Sequence, residues 1–287
     1  MVLDVPGQSP RRRVQKLPVN PGPRYDEPFA WWGPGWSAPA PRNIAELLQD
    51  ESIDAWTAAN LWAALARRQS LAVVAGGSGV GKTTLLTALL EFLPSPTRRI
   101  YLRGCFETFS FMSDPTIVPD ETALLINEIS AHLPVYLWGP AVSRVLGTAQ
   151  RGFTLLATAH ADSVHNFVGA LSGSPLHVPA AETAAFEFVV VLERHGANRS
   201  GRRVRDVWRL QPTRDGVGIA QLPLPPTPTL HDISIQSNIF LSGPGAWFPS
   251  HELAARQRAL EDLRDRHIAR LPGDGLFADT GARGMDP

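Results

Sequence analysis

Short apolar runs alternate with helix-like patterns through the middle of the chain. Leu71–Ala75 is uncharged and is followed by glycines, which is typical of a strand buried on both faces of a sheet. Strands that alternate with helices in this way predict a parallel α/β sheet. The strands are predicted at residues 71–75, 99–102, 123–126 and 153–158, and the helices that separate them at 83–92 and 139–150.

The same pattern divides the chain into three parts. Order is predicted to begin at Asn43, because Glu46 three residues later has the spacing of a capping box at a helix start. Residues 1–42 hold nine prolines and few periodic positions, so they are expected to form a flexible arm. Residues 43–220 are predicted to be the α/β domain. Residues 221–287 are predicted to contain a Pro-rich connector, a C-terminal helix and a frayed tail.

Residues on either side of the α/β core predict where the arm lies, a β-hairpin and the start of the last helix. The arm carries Trp31, Trp32 and Trp36, which would be costly to leave in water, so we expect the arm to lie on a protein surface. Residues 186–193 and 203–210 flank a polar turn and predict a β-hairpin. Ser250 is a candidate cap for the last helix, which we expect to reach about residue 271.

Composition narrows the classes of protein that the chain can represent. Lys and Arg total 27 and Asp and Glu total 27, so the net charge is zero. This argues against a basic nucleic-acid coat and against a polybasic membrane anchor. The single cysteine, Cys105, excludes an intramolecular disulfide framework and fits a reducing compartment. With no uncharged run near the roughly 18 apolar residues that span a bilayer, and no signal-peptide core, we expect a soluble cytoplasmic protein.

The clearest chemical signal is the glycine-rich segment between the first predicted strand and the following helix. Gly76–Thr83 fits the phosphate-loop pattern G-x-x-x-x-G-K-[ST] at every fixed position. Glycines let backbone N–H groups turn inward around phosphate oxygens, and the helix start adds the positive end of its dipole. Lys82 is expected to contact the β- and γ-phosphates, and the Thr83 hydroxyl to bind Mg²⁺. The predicted nucleotide-binding residues are Gly76, Gly77, Ser78, Gly79, Val80, Gly81, Lys82, Thr83 and Thr84.

Two other predicted strands end in polar residues that would meet this loop at the carboxyl edge of the sheet. The apolar run 123–126 leads to Glu128 as in a Walker B strand, with Asn127 where an Asp is usual. Glu128 is predicted to polarise the attacking water or to hold Mg²⁺ through water. The next strand ends in His160, which is predicted to sense the γ-phosphate. No guanine-reading N-K-x-D segment follows, which weakens a GTPase interpretation.

Together these segments resemble the type II/type IV secretion ATPases, which include motors of protein secretion, of pilus assembly and retraction, and of tight-adherence pili. The resemblance covers about residues 43–210. Residues 124–130 (LLINEIS) are similar to the family's atypical Walker B, and residues 156–163 (LATAHADS) to its His box. The hairpin from Phe186 to Val204 then follows in matching order.

The resemblance implies a RecA-like P-loop NTPase fold with a mostly parallel central sheet, a β-hairpin after the core and a helical C-terminal tail. It implies that ATP is hydrolysed to ADP and phosphate with Mg²⁺, with Glu128 and His160 as catalytic residues. Glu107 would be the surviving acid of the family's Asp box and a third catalytic residue. The resemblance also implies self-assembly into a ring such as a hexamer. That ring would act on an inner-membrane platform protein at the inner face of the cell membrane, without direct nucleic-acid contact.

Departures from the family pattern keep other functions open. The first acidic pair of the Asp box is absent from residues 103–107, and Ser130 stands where an arginine often follows the Walker B glutamate. The Pro-rich arm also stands where family members carry a folded N-terminal domain. A non-hydrolysing or weakly hydrolysing ATP-binding adaptor is therefore an alternative. A P-loop kinase or a DNA-directed ATPase is another, although zero net charge argues against DNA.

Overall fold

A seven-stranded sheet runs through the middle of the chain. The computed structural model describes residues 25–32, 41–194, 201–223 and 247–266. The strands are β1 (Leu71–Ala75), β2 (Arg98–Tyr101), β3 (Thr122–Ile129), β4 (Thr154–His160), β5 (Phe188–Arg194), β6 (Arg202–Thr213) and β7 (Gly216–Gln221). The helices are α1 (Ile44–Gln49), α2 (Ala55–Leu65), α3 (Lys82–Leu89), α4 (Pro140–Leu146), α5 (Val164–Ser172), α6 (Ala180–Thr183) and α7 (Ser250–Asp265).

The order of the strands brings the predicted site residues to one edge of the sheet. Across the sheet the order is β2-β3-β4-β1-β5-β6-β7. The first five strands are parallel, whereas β6 and β7 are antiparallel to their neighbours. One strand, β4, separates β1 from β3, so the ends of all three lie side by side. The mostly parallel RecA-like class and the hairpin are confirmed, and β7 extends the hairpin by one unpredicted strand.

Helices cover both faces of the sheet, so its central strands are buried on both sides. In β1, Leu71, Val73 and Ala75 face the layer formed by α1, α2, α3 and α7. Ala72 and Val74 face the opposite layer, which includes α4 and α5. Burial on both faces explains why this strand is an uncharged apolar run rather than an alternating one.

The first helix begins as the sequence predicts. The side chain of Asn43 accepts a hydrogen bond from the backbone N–H of Glu46 at 3.0 Å. The Glu46 carboxylate in turn accepts one from the backbone N–H of Asn43 at 3.3 Å. These reciprocal bonds form the predicted capping box, which satisfies two backbone donors at the helix start.

The C-terminal helix packs on the same core as the α/β domain. Leu253, Leu260 and Leu263 of α7 are buried in the cluster that contains α2. Arg67, just after α2, donates two hydrogen bonds to the carboxylate of Glu252, at 2.8 and 2.6 Å. The prediction that Ser250 caps this helix is wrong, because Ser250 is the first helical residue and Pro249 occupies the cap position. The predicted extension to residue 271 and most of the Pro-rich connector lie outside the described residues.

A described piece of the arm, residues 25–32, lies on the core. Trp31 is only 4% exposed, and its Nε1 donates a hydrogen bond to the Thr87 hydroxyl on α3 at 3.0 Å. The ring of Trp31 also meets Tyr101 edge-on, with 5.4 Å between ring centroids. The carbonyl of Tyr25 accepts a hydrogen bond from the Tyr101 N–H at 2.8 Å. This segment therefore lies on a protein surface as predicted, whereas Trp36 falls outside the described residues.

Truncation of Trp31 should measure how strongly this segment is held. We expect Trp31→Ala to lower the free energy of unfolding by about 3 kcal/mol, because a buried indole and its hydrogen bond are lost. Urea unfolding of the full chain would measure the change. The matched control is Trp32→Ala, since Trp32 is only half-buried and should cost less. Equal losses for the two variants would contradict the contacts assigned to Trp31.

Candidate functional site

The glycine-rich segment Gly76–Thr83 joins the end of β1 to the start of α3. Gly81 caps α3 with a φ of 100°, which is the left-handed region that favours glycine. A Cβ on Gly76 would lie 2.9 Å from the Cβ of Asp162, which follows β4. The two glycines are thus required for different reasons. Gly76 leaves room for the close approach of Asp162, and Gly81 allows the left-handed backbone conformation.

The Lys82 side chain folds back onto this loop. Its side chain belongs to the first turn of α3 and is buried, with the residue only 6% exposed. The Nζ atom donates a hydrogen bond to the carbonyl of Gly77 at 3.4 Å. It also lies 3.5 Å from Oε1 of Glu128 on β3. The ammonium group therefore lies between the loop and the carboxylate of the predicted Walker B strand.

The Glu128 side chain, on β3, contacts both Lys82 and His160, the last residue of β4. The same Oε1 atom that faces Lys82 lies 4.0 Å from Nδ1 of His160, and the Glu128 side chain is 13% exposed. Burial raises the pKa of Glu128 above its ordinary value, and the positive charge of Lys82 opposes that shift. A carboxylate with a raised pKa is a better proton acceptor than one in water, which suits a group that polarises an attacking water.

A second histidine, His132, lies against His160, and no sequence motif predicted it. The ring centroids of His132 and His160 are 3.9 Å apart. The Ser130 hydroxyl and Nδ1 of His132 are 2.7 Å apart, so they share a hydrogen bond that fixes the His132 ring. Burial lowers the pKa of His160, with smaller contributions from His132 and Lys82 in the same direction. This direction favours the neutral imidazole, in which one ring nitrogen is a hydrogen-bond acceptor.

Asn127, which stands where Walker B strands usually carry Asp, has a structural role. Its Oδ1 accepts a hydrogen bond from the backbone N–H of Glu128 at 2.8 Å. Its Nδ2 donates to the carbonyl of Ala30 in the arm at 3.3 Å, and its own carbonyl accepts from the Thr158 hydroxyl. Asn127 thus fixes the end of β3 and ties residues 25–32 to it.

Glu107 is held in the loop after β2 by backbone hydrogen bonds. Its two carboxylate oxygens accept from the N–H groups of Arg103, at 3.0 Å, and Phe109, at 2.6 Å. The Tyr25 hydroxyl adds a longer hydrogen bond at 3.4 Å. These are the contacts of a residue that shapes a loop, and the structure does not bring Glu107 into the group formed by Lys82, Glu128 and His160. A catalytic role for Glu107 stays a prediction.

The arrangement of side chains fits a magnesium-bound nucleoside triphosphate. Loops with glycine in the left-handed region turn backbone N–H groups toward an anion, and the start of α3 favours negative charge at the same place. The Lys82 ammonium is buried beside them. Thr83, in the first turn of α3, and Glu128 are the oxygen donors that would hold Mg²⁺, either directly or through water.

Comparison with solved structures gives several neighbours, of which two are described. No family model matches the chain, and no curated protein matches it. The VirB11 ATPase from the Brucella suis type IV secretion system, solved with sulphate, is 19% identical, with a TM-score of 0.38 over 52% of this chain and 50% of that one. The Legionella pneumophila ATPase DotB is 14% identical, with a TM-score of 0.38 over 55% of this chain and 51% of that one.

The chain therefore spans about half the length of the solved structures that it matches. Both of these proteins are named as ATPases, and VirB11 is from a type IV secretion system. In the part of the chain that the structure describes, no helix has both the length and the apolar character needed to cross a bilayer.

Proposed function

We propose that this protein binds Mg-ATP at Gly76–Thr83 and hydrolyses it to ADP and phosphate. One observation carries the proposal, namely that Oε1 of Glu128 lies 3.5 Å from Nζ of Lys82 and 4.0 Å from Nδ1 of His160. These residues come from α3, β3 and β4, and each lies where its strand or helix reaches the carboxyl edge of the sheet. Binding crevices of parallel α/β sheets lie at this edge.

Each residue has a role that follows from its position. The loop backbone and Lys82 bind and orient the phosphates, and Lys82 neutralises charge that develops during transfer. Glu128 accepts a hydrogen bond from the attacking water and aligns it with the γ-phosphorus. His160, neutral and next to Glu128, orients the carboxylate or the γ-phosphate. The Thr83 hydroxyl would hold Mg²⁺, which when bound would reduce the negative charge of the phosphates.

We further propose that the domain works as a motor of a type II or type IV secretion or pilus machine. The motif order, from the phosphate loop through Glu128 and the His box to the hairpin, supports this. In such a machine the chain would form a ring, such as a hexamer, on the cytoplasmic side of the membrane. Hydrolysis would then drive subunit rotation against an inner-membrane platform protein.

An ATP-binding adaptor with little or no hydrolysis is the second candidate. Two observations favour it: the first acidic pair of the Asp box is absent from residues 103–107, and the Glu107 carboxylate accepts two backbone hydrogen bonds. Glu128 is then the one carboxylate among the described residues that contacts Lys82. Steady-state phosphate release with Mg-ATP separates the candidates. Release by wild type and its loss in Lys82→Ala supports hydrolysis, whereas ATP binding without release supports the adaptor.

Assembly should respond to nucleotide if the domain is a motor. We expect ATP to promote self-association, because a RecA-like domain binds nucleotide at its edge, where a neighbouring subunit completes the site. Zero net charge does not oppose this association. Light scattering with and without a non-hydrolysable ATP analogue would measure it. A strictly monomeric chain at micromolar concentration with nucleotide present would contradict an autonomous motor and favour the adaptor.

A further inference from the structure

Two arginines of the hairpin lie side by side next to the phosphate loop. Arg194 is the last residue of β5, which is parallel to β1, so it reaches the same edge of the sheet as the loop. Arg202 is the first residue of β6 and is the direct partner of Arg194 across the antiparallel pair. The turn that joins the two strands lies outside the described residues.

Both side chains contact the loop itself. Nη2 of Arg194 donates a hydrogen bond to the carbonyl of Ser78 at 2.9 Å. The Cδ atom of Arg202 lies 3.3 Å from where a Cβ on Gly81 would stand, so the side chain lies across the last glycine of the loop. Arg202 also lines a cleft that includes Gly81, Val80 and Thr84.

The charges of this pair are not balanced by acidic side chains. Arg203 pairs with Glu193 at 2.7 Å, as an ordinary cross-strand ion pair would. Among the described residues, by contrast, no carboxylate lies within 4.0 Å of Arg194 or Arg202. Like charges directly opposite each other on adjacent strands repel. An anion placed between them and the loop would remove that repulsion.

The cleft has a second arginine, but that residue is already neutralised. Arg42 lies in the same cleft as Arg202. Its Nη1 is 2.6 Å from the carboxylate of Asp50, and its Nε is 3.6 Å from that of Glu46. Arg202 is therefore the cation of this cleft that is left for a ligand.

We propose that Arg194 and Arg202 bind the phosphates of the nucleotide within the same subunit. Arg202 contacts the two phosphates that ADP and ATP share, and Arg194 binds beside Ser78. The order of the strands supports this division, because Glu128 and His160 approach the loop from β3 and β4 whereas the arginines approach from β5 and β6. The cleaved phosphate is thus on the side of Glu128. This assignment rests on the proposed function, since it requires nucleotide at Gly76–Thr83.

Two consequences follow for Arg202. Arg202 should act on ADP and ATP alike, because the phosphates that it contacts are present in both. Pyrophosphate should also depend on Arg202, because the contact is to phosphate and not to the base. A guanidinium that stacked on the base would instead leave pyrophosphate affinity unchanged.

The test is calorimetric binding of ADP, ATP and pyrophosphate to Arg202→Ala and Arg194→Ala in the full chain. For each variant we expect a loss of about threefold to tenfold for all three ligands, typical of one hydrogen bond at an exposed site. The matched control is Arg203→Ala, which removes the adjacent arginine and its pairing with Glu193. We expect that control to bind within twofold of wild type. Thermal unfolding of each variant would confirm that it is folded.

The outcomes distinguish this assignment from the proposed function. If wild type and Lys82→Ala both fail to bind nucleotide, the proposed function is wrong. If wild type binds, Lys82→Ala binds at least tenfold more weakly, and Arg202→Ala matches Arg203→Ala, the nucleotide site stands and the arginine assignment is overturned. A loss for ADP with no loss for pyrophosphate would also overturn the assignment, because it would show a contact to the nucleoside.

Discussion

Glu128→Gln is expected to reduce ATP turnover by roughly 10²–10⁴, the usual contribution of a positioned acid–base group. The substitution keeps the size of the side chain and its ability to hydrogen bond but removes the negative charge next to Lys82 and His160. ATP affinity should stay within a few-fold of wild type, because the loop and Lys82 are unchanged. Steady-state phosphate release and calorimetry on the same preparations would measure both quantities.

The matched control for this variant is Glu107→Gln. The Glu107 carboxylate accepts two backbone hydrogen bonds within its own loop, so we expect a loss of stability and little direct effect on chemistry. If Glu107→Gln abolishes turnover in a folded protein and Glu128→Gln does not, the catalytic roles assigned to the two residues are reversed.

Glu128→Gln should also change the thermal stability of the protein, and this change tests whether the carboxylate is buried. Burial raises the pKa of Glu128 above its ordinary value of 4.5, so the folded protein binds this proton more tightly than the unfolded chain. The free energy of unfolding therefore falls as the pH rises from 4.5 through the raised pKa, because the unfolded chain releases this proton first. Glu128→Gln should unfold at a higher temperature than wild type at pH 8. Below pH 4.5 both states of wild type are protonated, and the difference should vanish.

Lys82→Ala is the second variant for which we expect a large effect, a tenfold to hundredfold loss of ATP affinity. The buried ammonium would make a charge-assisted contact to phosphate, and such contacts contribute about 1.5–3 kcal/mol. Calorimetry of ATP binding would measure the loss. The matched control is Arg98→Ala, because Arg98 begins β2 and therefore lies at the opposite edge of the sheet. Equal ATP affinity in wild type and Lys82→Ala would show that Gly76–Thr83 does not bind phosphate.

Much of the fold could be predicted because its signals are local. β1 matches the predicted limits, since a strand buried on both faces must be a short apolar run bounded by glycines. The capping box at Asn43 depends on residues only three apart. Helix α5 was missed although Val164, Phe167 and Leu171 have helical spacing and Ser163 caps it. Strand β7, which pairs with β6 next to the hairpin, was missed because its glycines and mixed residues lack a strand pattern.

The candidate site could be predicted in part, for a similar reason. Gly76–Thr83, Glu128 and His160 each end a strand or begin a helix, and parallel topology brings such ends together. His132 could not be found, because it reaches His160 through a loop whose path no local pattern specifies. Glu107 was assigned by motif position alone, whereas the structure shows a carboxylate that holds its own loop. The like-charged pair of Arg194 and Arg202 depends on hairpin register, which the polar turn leaves undefined in sequence.

The most direct test of hydrolysis at this site is a single-turnover experiment with ATP mixed into a molar excess of protein and Mg²⁺. Excess protein binds all the ATP, so a trace contaminant cannot account for complete conversion in proportion to the number of sites. We predict that wild type converts the bound ATP to ADP and phosphate, and that Glu128→Gln binds the ATP but retains it intact. Recovery of intact ATP from wild type that has bound it would contradict the account.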